Sequence, residues 1–290
     1  LFGGAADRSG SNGSRFDGAR VLSAENADAN YFSWGVREFA MTAACNGMAL
    51  HGGLLPYSAT FLTFMDYARN AVRLAALMGV QNIFVYSHDS LAVGEDGPTH
   101  QPVEQLATLR MTPGLETWRP CDTVETAMAW REALARADGP SALILSRQGL
   151  PVPSRDSAQV AAIAQGAYAL EDDEAPEVVL VATGSEVPLA QAAAAALRAQ
   201  GKRVRVVSMP CVERFLAAGA EAQAALLPPE VPRLIIEAAH PAPWWRLAGA
   251  RGQVLGVDQF GASGPGDEVL AAYGFTPDNV TAEALALLNA

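Results

Sequence analysis

Short runs of valine, isoleucine and leucine alternate with alanine-rich stretches along most of the chain, and this alternation constrains the fold more than any other feature. The apolar runs carry polar residues only at their ends, which is typical of parallel strands buried on both faces. Strand–helix alternation of this kind predicts an α/β fold with parallel sheets. Strands are predicted at 82–87, 116–119, 141–145, 178–183, 203–208 and 234–238, and helices at 38–50, 67–77, 123–136 and 188–200.

The length of 290 residues suits two domains, because domains of about 150 residues are common. A break falls at 149–159, where two prolines and a polar cluster interrupt the alternation. We therefore expect two three-layer α/β domains over 1–150 and 165–290, joined by a linker over 151–164. The chain begins at Leu1 without a methionine and continues into what reads as a Gly-Gly turn, so we expect it to be the middle of a longer polypeptide.

Composition narrows the functional classes. Half of the residues are apolar and 18% are charged, which argues against disorder, and no long uncharged apolar run predicts a membrane span. The net charge of −11 argues against a nucleic-acid or anionic membrane partner, so any phosphate must bind in a local basic pocket. Three cysteines far apart, with no signal peptide, indicate a reduced cytoplasmic protein without a disulfide framework or zinc site.

The densest group of unusual residues lies at 87–105, directly after the predicted strand at 82–87, and contains His88, Asp96 and His100. Ligands bind outside the carboxyl ends of strands in parallel α/β sheets, so this loop is a candidate site. It could equally be a solvated turn, because aspartate and glycine are ordinary turn formers. A metal site built from the same three side chains is a further alternative, although it lacks any standard ligand spacing.

Three other features suggest a ligand site but also have ordinary structural explanations. Glu38 begins an apolar helix, where a carboxylate either complements the helix dipole or acquires a perturbed pKa and a hydrogen-bonding role. Phe61, Phe64 and Tyr67 are three apart, which places them on one helical or turn face, either in the core or as a stacking platform for a flat ring. Arg147 ends another apolar strand, either as a surface arginine or as a phosphate ligand.

Taken together, these segments resemble the transketolases. The resemblance covers essentially the whole chain, is most specific over 35–150, and follows the order of the segments in that family. It implies a pyrimidine-binding domain followed by the family's C-terminal domain, and transfer of a two-carbon ketol unit between sugar phosphates in the pentose phosphate pathway, with thiamine diphosphate and Mg²⁺. The matching segments are GVREFAMTAACNGMALHGG, YSATFLTFMDYARNAVRLAALM, HDSLAVGEDGPTHQPVEQLATLR, WRPCDTVETAMAW and GPSALILSRQGLP, then VATGSEVPLA, VRVVSMP and FGASGPGDEVL.

The resemblance also implies which residues bind the cofactor. Glu38 matches the catalytic glutamate that hydrogen-bonds N1′ of the aminopyrimidine and favours the imino tautomer, whose 4′-nitrogen then removes the proton at C2. Phe64 matches the aromatic residue that stacks on the pyrimidine, and Phe61 and Tyr67 complete its pocket. Asp7 corresponds to an acidic residue near the cofactor at the subunit interface.

A second set of residues is implied to bind the substrate. His100, which we also expect to be catalytic, and Asp96 match residues that contact hydroxyls of the sugar. His88, Arg147 and Ser11 match the group that holds the sugar phosphate. This local cluster would reconcile phosphate binding with the acidic net charge.

Some family features are absent from this sequence. There is no Gly-Asp-Gly stretch of the kind that holds the cofactor diphosphate through Mg²⁺, and a further phosphate-binding arginine of the family lies upstream of Leu1. The segment GGAADRSGSN departs from the family's GGSADLAPSN, and EAAHPAPWW at 237–245 departs from the usual C-terminal run, leaving His240 without a function. We therefore expect the metal and diphosphate ligands in a missing N-terminal domain and no metal ligand in this chain.

The isolated chain is accordingly predicted to be inactive. We expect a homodimer that pairs through an apolar surface to which 61–78 contributes. Two alternatives remain: a related thiamine enzyme, such as dihydroxyacetone synthase or deoxyxylulose-phosphate synthase, and a non-catalytic or naturally split subunit that needs an N-terminal partner chain.

Overall fold

The computed structural model describes residues 1–7 and 9–289, and within them the chain forms two open α/β sheets, one from each half of the sequence. The strands of the first sheet are all parallel and follow the spatial order second, first, third, fourth, sixth, fifth. They are β1 (Phe2–Ala5), β2 (Tyr31–Ser33), β3 (Pro56–Phe61), β4 (Ile83–Ser87), β5 (Glu116–Trp118) and β6 (Ser141–Leu145).

Helices cover both faces of this sheet, and they are α1 (Glu38–His51), α2 (Met65–Met78), α3 (Gln105–Arg110) and α4 (Thr123–Ala135). Successive side chains of a strand point to opposite faces. On β4, Phe84 and Tyr86 therefore join the core that contains α2 and α3, whereas Ile83 and Val85 join the core that contains α4. The predicted three-layer arrangement follows directly from this alternation.

The Gly-Gly pair near the chain start is part of a strand, so the expectation of a turn there is wrong. Gly3 and Gly4 lie in β1, between β2 and β3. A Cβ atom on Gly4 would lie 1.8 Å from the carbonyl oxygen of Phe32, and one on Gly3 would lie 2.2 Å from that of Tyr57. The glycines are therefore required by the close approach of the neighbouring strands.

The second sheet has the spatial order β11-β10-β8-β9-β7, where β7 is Tyr168–Asp172, β8 is Val178–Ala182, β9 is Val204–Ser208, β10 is Arg233–Ile236 and β11 is Gln253–Leu255. The predicted parallel order is confirmed for four of these strands, but β7 runs antiparallel to β9. An antiparallel edge strand is common on an otherwise parallel sheet. The helices are α5 (Ser157–Ala162), α6 (Val187–Ala199), α7 (Val212–Ala217), α8 (Ala220–Leu226), α9 (Trp245–Ala248), α10 (Gly266–Ala272) and α11 (Pro277–Asn289).

The segment between the two sheets is partly helical. It contains α5, which begins with a capping box formed by Asp156 and Gln159, and a 3₁₀ turn over Ile163–Gln165. The domain limits proposed from the sequence, with a linker over 151–164, stay predictions. Over residues 1–7 and 9–289, no helix has both the length and the apolar character needed to cross a membrane.

Candidate active site

The candidate residues meet at one edge of the first sheet because its strands are parallel. The loops that leave the carboxyl ends of β1, β2 and β3 surround an open cleft of about 650 Å³. Four of the predicted site residues line this cleft together, namely Asp7, Glu38, Phe64 and Tyr67. Its other lining residues are Ala6, Val36, Arg37, Phe39 and Ala40.

Glu38 lies in the first turn of α1, as predicted, and is only 7% exposed although it lines the cleft. No side chain or backbone amide of residues 1–7 or 9–289 donates a hydrogen bond to its carboxylate. The fold therefore buries this carboxylate beside apolar side chains, and none of the described residues hydrogen-bonds to it. A ligand that enters the cleft can accept or donate a proton there.

The predicted aromatic stripe is a contiguous row of rings, but three elements build it instead of one helical face. Phe61 ends β3, Phe64 belongs to a 3₁₀ turn, and Tyr67 lies in α2. The rings of Phe61 and Phe64 stack with centroids 5.8 Å apart, and those of Phe64 and Tyr67 lie 6.1 Å apart. Phe61 is 2% exposed and lies beneath the others, whereas Tyr67 is 67% exposed.

Two histidines extend the same row of rings. The His88 ring stacks on Phe61 at a centroid distance of 3.6 Å. The His100 ring meets the edge of Phe64 at 5.2 Å and of Phe61 at 6.4 Å. The three aromatic cofactor candidates and two of the predicted substrate residues therefore form one continuous row of rings, of which Phe64 and Tyr67 line the cleft.

His88 follows β4 in the left-handed backbone region, with φ of 62°. This conformation costs a residue with a side chain about 1–2 kcal/mol. The ring is buried, and its Nδ1 lies 2.9 Å from the hydroxyl oxygen of Ser87. Strain of this kind persists where the surroundings fix the residue, and it is concentrated at functional sites.

The loop that carries Asp96 and His100 is held by the second half of the chain. A Cβ atom on Gly94 would lie 3.1 Å from both the Gly264 oxygen and the Gly266 nitrogen, so two backbones are in direct contact. Gln101 fixes the contact, because its Nε2 donates to the carbonyl oxygens of Gly94 at 2.9 Å and Ala262 at 3.0 Å. His100 is half-buried, and its Nδ1 lies 2.8 Å from the Thr99 hydroxyl oxygen. Asp96 is exposed.

The remaining candidates lie at the same edge but outside the row of rings. Leu145 pairs with Ser87 in the sheet, so Arg147, two residues further on, follows β6 at the same sheet edge at which His88 follows β4. Arg147 is exposed and makes no ion pair with any residue that the structure describes. Ser11 is exposed in the loop after β1. Within the part of the chain that the structure describes, no hydrogen bond, ion pair or ring contact joins Ser11, Asp96 or Arg147 to the row of rings, so their shared role stays a prediction.

Sequence reasoning missed part of the cleft and a buried set of charges beside it. Val36 and Phe39 are exposed apolar residues that line the cleft on either side of Glu38. Only their exposure distinguishes them from core residues, and exposure is not visible in the sequence. Arg119, directly after β5, is fully buried and pairs with Asp89, beside His88. The other charged partners of Arg119, Glu186 and Glu237, come from the second half of the chain, so no local pattern could have indicated it.

The alternative of a metal site formed by His88, Asp96 and His100 receives no support. Within residues 1–7 and 9–289, no three or more histidine, cysteine or acidic side chains are grouped so that they could hold a metal ion. The three cysteines are buried and form no disulfide in the structure, and burial raises the pKa of the Cys45 thiol to about 12.

Comparisons with known proteins cover both halves of the chain. The family model of the transketolase pyrimidine-binding domain matches residues 1–153, and that of the transketolase-like C-terminal domain matches residues 166–276. Transketolase 2 of Vibrio vulnificus (strain CMCP6) is 54% identical over 290 residues, which are 99% of this chain and 44% of that protein. The chain thus spans less than half the length of this curated relative.

Solved structures agree. The transketolase of Pichia stipitis, in complex with sedoheptulose 7-phosphate, superposes with a TM-score of 0.95 at 37% identity and covers 99% of this chain and 43% of its own. A chain described as a split-gene transketolase, an inactive β4 tetramer, shares the fold with a TM-score of 0.72 at 21% identity, over 99% of this chain and 92% of its own. The four findings agree: two domain models match, one relative is 54% identical, and a solved structure superposes on nearly every residue. The chain therefore belongs to the transketolase family.

Proposed function

We propose that the protein containing this chain is a cytoplasmic transketolase that moves a two-carbon ketol unit between sugar phosphates of the pentose phosphate pathway. The observation that carries the proposal is the cleft in which the Glu38 carboxylate and the Phe64 ring face the same space. A flat aminopyrimidine fits this pair, because one residue offers a stacking face and the other an acceptor that the fold does not use.

The residues of this chain would hold the pyrimidine half of thiamine diphosphate. When bound, that cofactor supplies an electron sink for the two-carbon fragment. Glu38 holds a proton at the pyrimidine N1′ position, and its burial strengthens that hydrogen bond. Phe64 orients the ring from one face, and Phe61 fixes Phe64 by stacking beneath it. Asp7 lines the same cleft and would lie near the cofactor.

The substrate would lie along the ring surface and the loops beside it. His100 and Asp96 would bind sugar hydroxyls, and His100 is placed to exchange a proton with them. His88, Arg147 and Ser11 would bind the phosphate. The exposed guanidinium of Arg147 is suited to phosphate, since it has no ion-pair partner among the described residues.

Most of the cofactor affinity would come from outside these 290 residues. One stacked ring and one hydrogen bond are worth about 2–4 kcal/mol, which is less than the cost of association, about 4–15 kcal/mol. We infer that Mg²⁺ and the diphosphate bind to a further domain, in keeping with the 44% coverage of the Vibrio vulnificus relative. The chain alone would then bind thiamine diphosphate weakly and be inactive.

A second copy of the chain is the proposed partner. Large apolar side chains are exposed on α1, on α2 and between these helices, at Phe39, Leu50, Leu54, Leu74, Leu77 and Met78. Monomers rarely expose so many apolar side chains on neighbouring elements. This arrangement supports a homodimer whose contact surface adjoins the cleft.

The test is reconstitution. The 290-residue chain is mixed with the part of Vibrio vulnificus transketolase 2 that it does not cover, and ketol transfer is measured with thiamine diphosphate and Mg²⁺. We expect activity from the mixture and none from either piece. The control is the same mixture made with the relative's own matching piece.

If only the control is active, the proposed activity is wrong, and a non-catalytic or separately partnered subunit is favoured. Activity of this chain alone would contradict the two-part cofactor site. Profiling the donors and the acceptors that the mixture accepts separates a transketolase from related thiamine enzymes.

A further inference from the structure

Arg119 is a fully buried arginine at the contact between the two halves of the chain. It follows β5, and its Nε donates to Oδ2 of Asp89 at 3.0 Å, while Nη2 lies 2.9 Å from the same oxygen. Asp89 is 2% exposed and directly follows His88 in the sequence. A guanidinium in the interior thus grips the residue next to a predicted substrate ligand.

The second domain surrounds this guanidinium with acceptors. Nη1 of Arg119 pairs with Glu186, donates to the Thr183 carbonyl oxygen at 3.1 Å and lies 3.4 Å from Glu237 Oε1. Nη2 donates to the Ser185 hydroxyl at 3.2 Å. Every nitrogen of the guanidinium therefore has an acceptor, which a buried cation requires.

Glu237 is itself held from two sides, which gives the divergent EAAHPAPWW segment a structural role. Arg110 of the first domain donates to its two carboxylate oxygens at 2.5 and 2.8 Å. The indole nitrogen of Trp244 donates to Oε2 at 2.5 Å. The segment thus helps to form the acceptor pocket for Arg119.

Gly184 shows how closely the second domain approaches. It has φ of 56°, and a Cβ atom there would lie 2.7 Å from Nε of Arg119. The backbone of this turn therefore lies directly against the guanidinium, and the Gly184 amide also donates to the Arg119 carbonyl oxygen at 3.1 Å. Arg119 has little freedom to move unless the second domain moves with it.

We propose that Arg119 is a positioning residue, through which the second domain fixes Asp89 and thereby holds His88 in its left-handed backbone conformation on Phe61. The stack on Phe61 and the contact with Ser87 hold the imidazole ring, whereas the ion pair with Arg119 holds the chain immediately after it. Naming His88 a substrate ligand rests on the proposed function, but its placement by Arg119 does not.

The experiment reads the His88 ring directly in the 290-residue chain, without cofactor or substrate. The carbon-bound ring protons of His88 should resonate upfield, because the ring lies 3.6 Å from the face of Phe61. The four histidines allow assignment by single substitutions. In Arg119→Lys, a single ammonium cannot reproduce the guanidinium contacts. We expect the His88 signals to move at least about halfway to the positions of a free histidine.

Two further variants make the result decisive. Asp89→Asn keeps the volume of the side chain, removes its charge and should shift His88 in the same direction. Arg155→Lys is the matched control, since the Arg155 side chain is 2% exposed and its partners, Asp122 and Tyr168, lie in the two halves of the chain. It should lower stability without moving the His88 signals.

Unmoved His88 signals in Arg119→Lys or in Asp89→Asn would overturn the proposal, as would an equal shift in Arg155→Lys. The readout needs no turnover, so a failure of the proposed ketol transfer leaves its answer intact. Conversely, if ketol transfer is reconstituted but the His88 signals of the variants do not move, only the positioning role of Arg119 is rejected and the proposed function stands.

Discussion

The first domain has two contrasting surfaces. Where it meets the second domain, buried charges such as Arg119 and Arg110 are matched by Glu186 and Glu237. Around the cleft, in contrast, the Glu38 carboxylate accepts no hydrogen bond from the described residues, and apolar side chains face outward. The polar groups of the first surface pair with one another, whereas the Glu38 carboxylate of the second has no such partner among the described residues. Substitutions on the first surface should therefore lower stability, and those on the second should leave stability nearly unchanged.

Arg119→Ala should have the largest effect on stability. It would leave Asp89 and Glu186 buried without their cation, which costs about 3–5 kcal/mol. Urea unfolding of the 290-residue chain measures the effect. The control is Arg20→Ala, because the side chains of Arg20 and Asp28 are 53% and 90% exposed and such pairs contribute about 0–1 kcal/mol. Equal effects of the two substitutions would remove the contrast between the surfaces.

Glu38→Gln should have the converse effect, with a large loss of activity and little change in folding. The amide cannot hold a proton as the carboxyl does, so ketol transfer in the reconstituted enzyme should fall about 100-fold or more. The urea midpoint should stay near that of the wild type, because no described residue uses the carboxylate as an acceptor. A variant that keeps a tenth of wild-type turnover would refute the role of Glu38.

Arg147→Ala should act on one class of substrate only. Loss of a charge-assisted hydrogen bond to phosphate should raise KM for phosphorylated donors about tenfold. KM for unphosphorylated donors should hardly change, and neither should stability, since the side chain is exposed. Equal changes for both donor classes would exclude Arg147 from the phosphate site.

Leu77→Lys should have the smallest effect on folding. Leu77 is 69% exposed on α2, so the free energy of unfolding of the monomer should change by no more than about 0.5 kcal/mol. Self-association, measured by sedimentation velocity, should weaken if α2 forms the dimer surface. Leu134→Lys on α4, at a site 44% exposed, is the matched control and should leave association unchanged. Identical behaviour of the two variants would place the contact elsewhere.

The sequence predicted those parts of the fold that depend on local pattern. The valine- and isoleucine-rich strands β4, β6 and β8 were found, as was the helix that begins at Glu38. The strands β3 and β1 were not predicted from the sequence. In β3, buried Ser58 and Thr60 break the apolar run, and in β1 the glycines resemble a turn.

The site shows the same division. Glu38 and the aromatic residues could be singled out, because a carboxylate in an apolar segment and a regular ring spacing are visible in one dimension. The charges around Arg119 could not, because its partners Glu186 and Glu237 lie in the other half of the chain and each alone resembles an ordinary surface acid. The strain at His88 is likewise a property of the folded backbone.

The contact between Gly94 and Gly266 has a consequence for the order in which the molecule is built. The loop of Asp96 and His100 is held by residues far later in the chain, as the Gln101–Ala262 hydrogen bond shows. The first domain emerges from the ribosome before residues 262–266 are synthesised, and contacts of such long sequence separation form late. The first sheet can therefore form during synthesis, whereas the loop of Asp96 and His100 takes its final shape only after residues 262–266 have been synthesised.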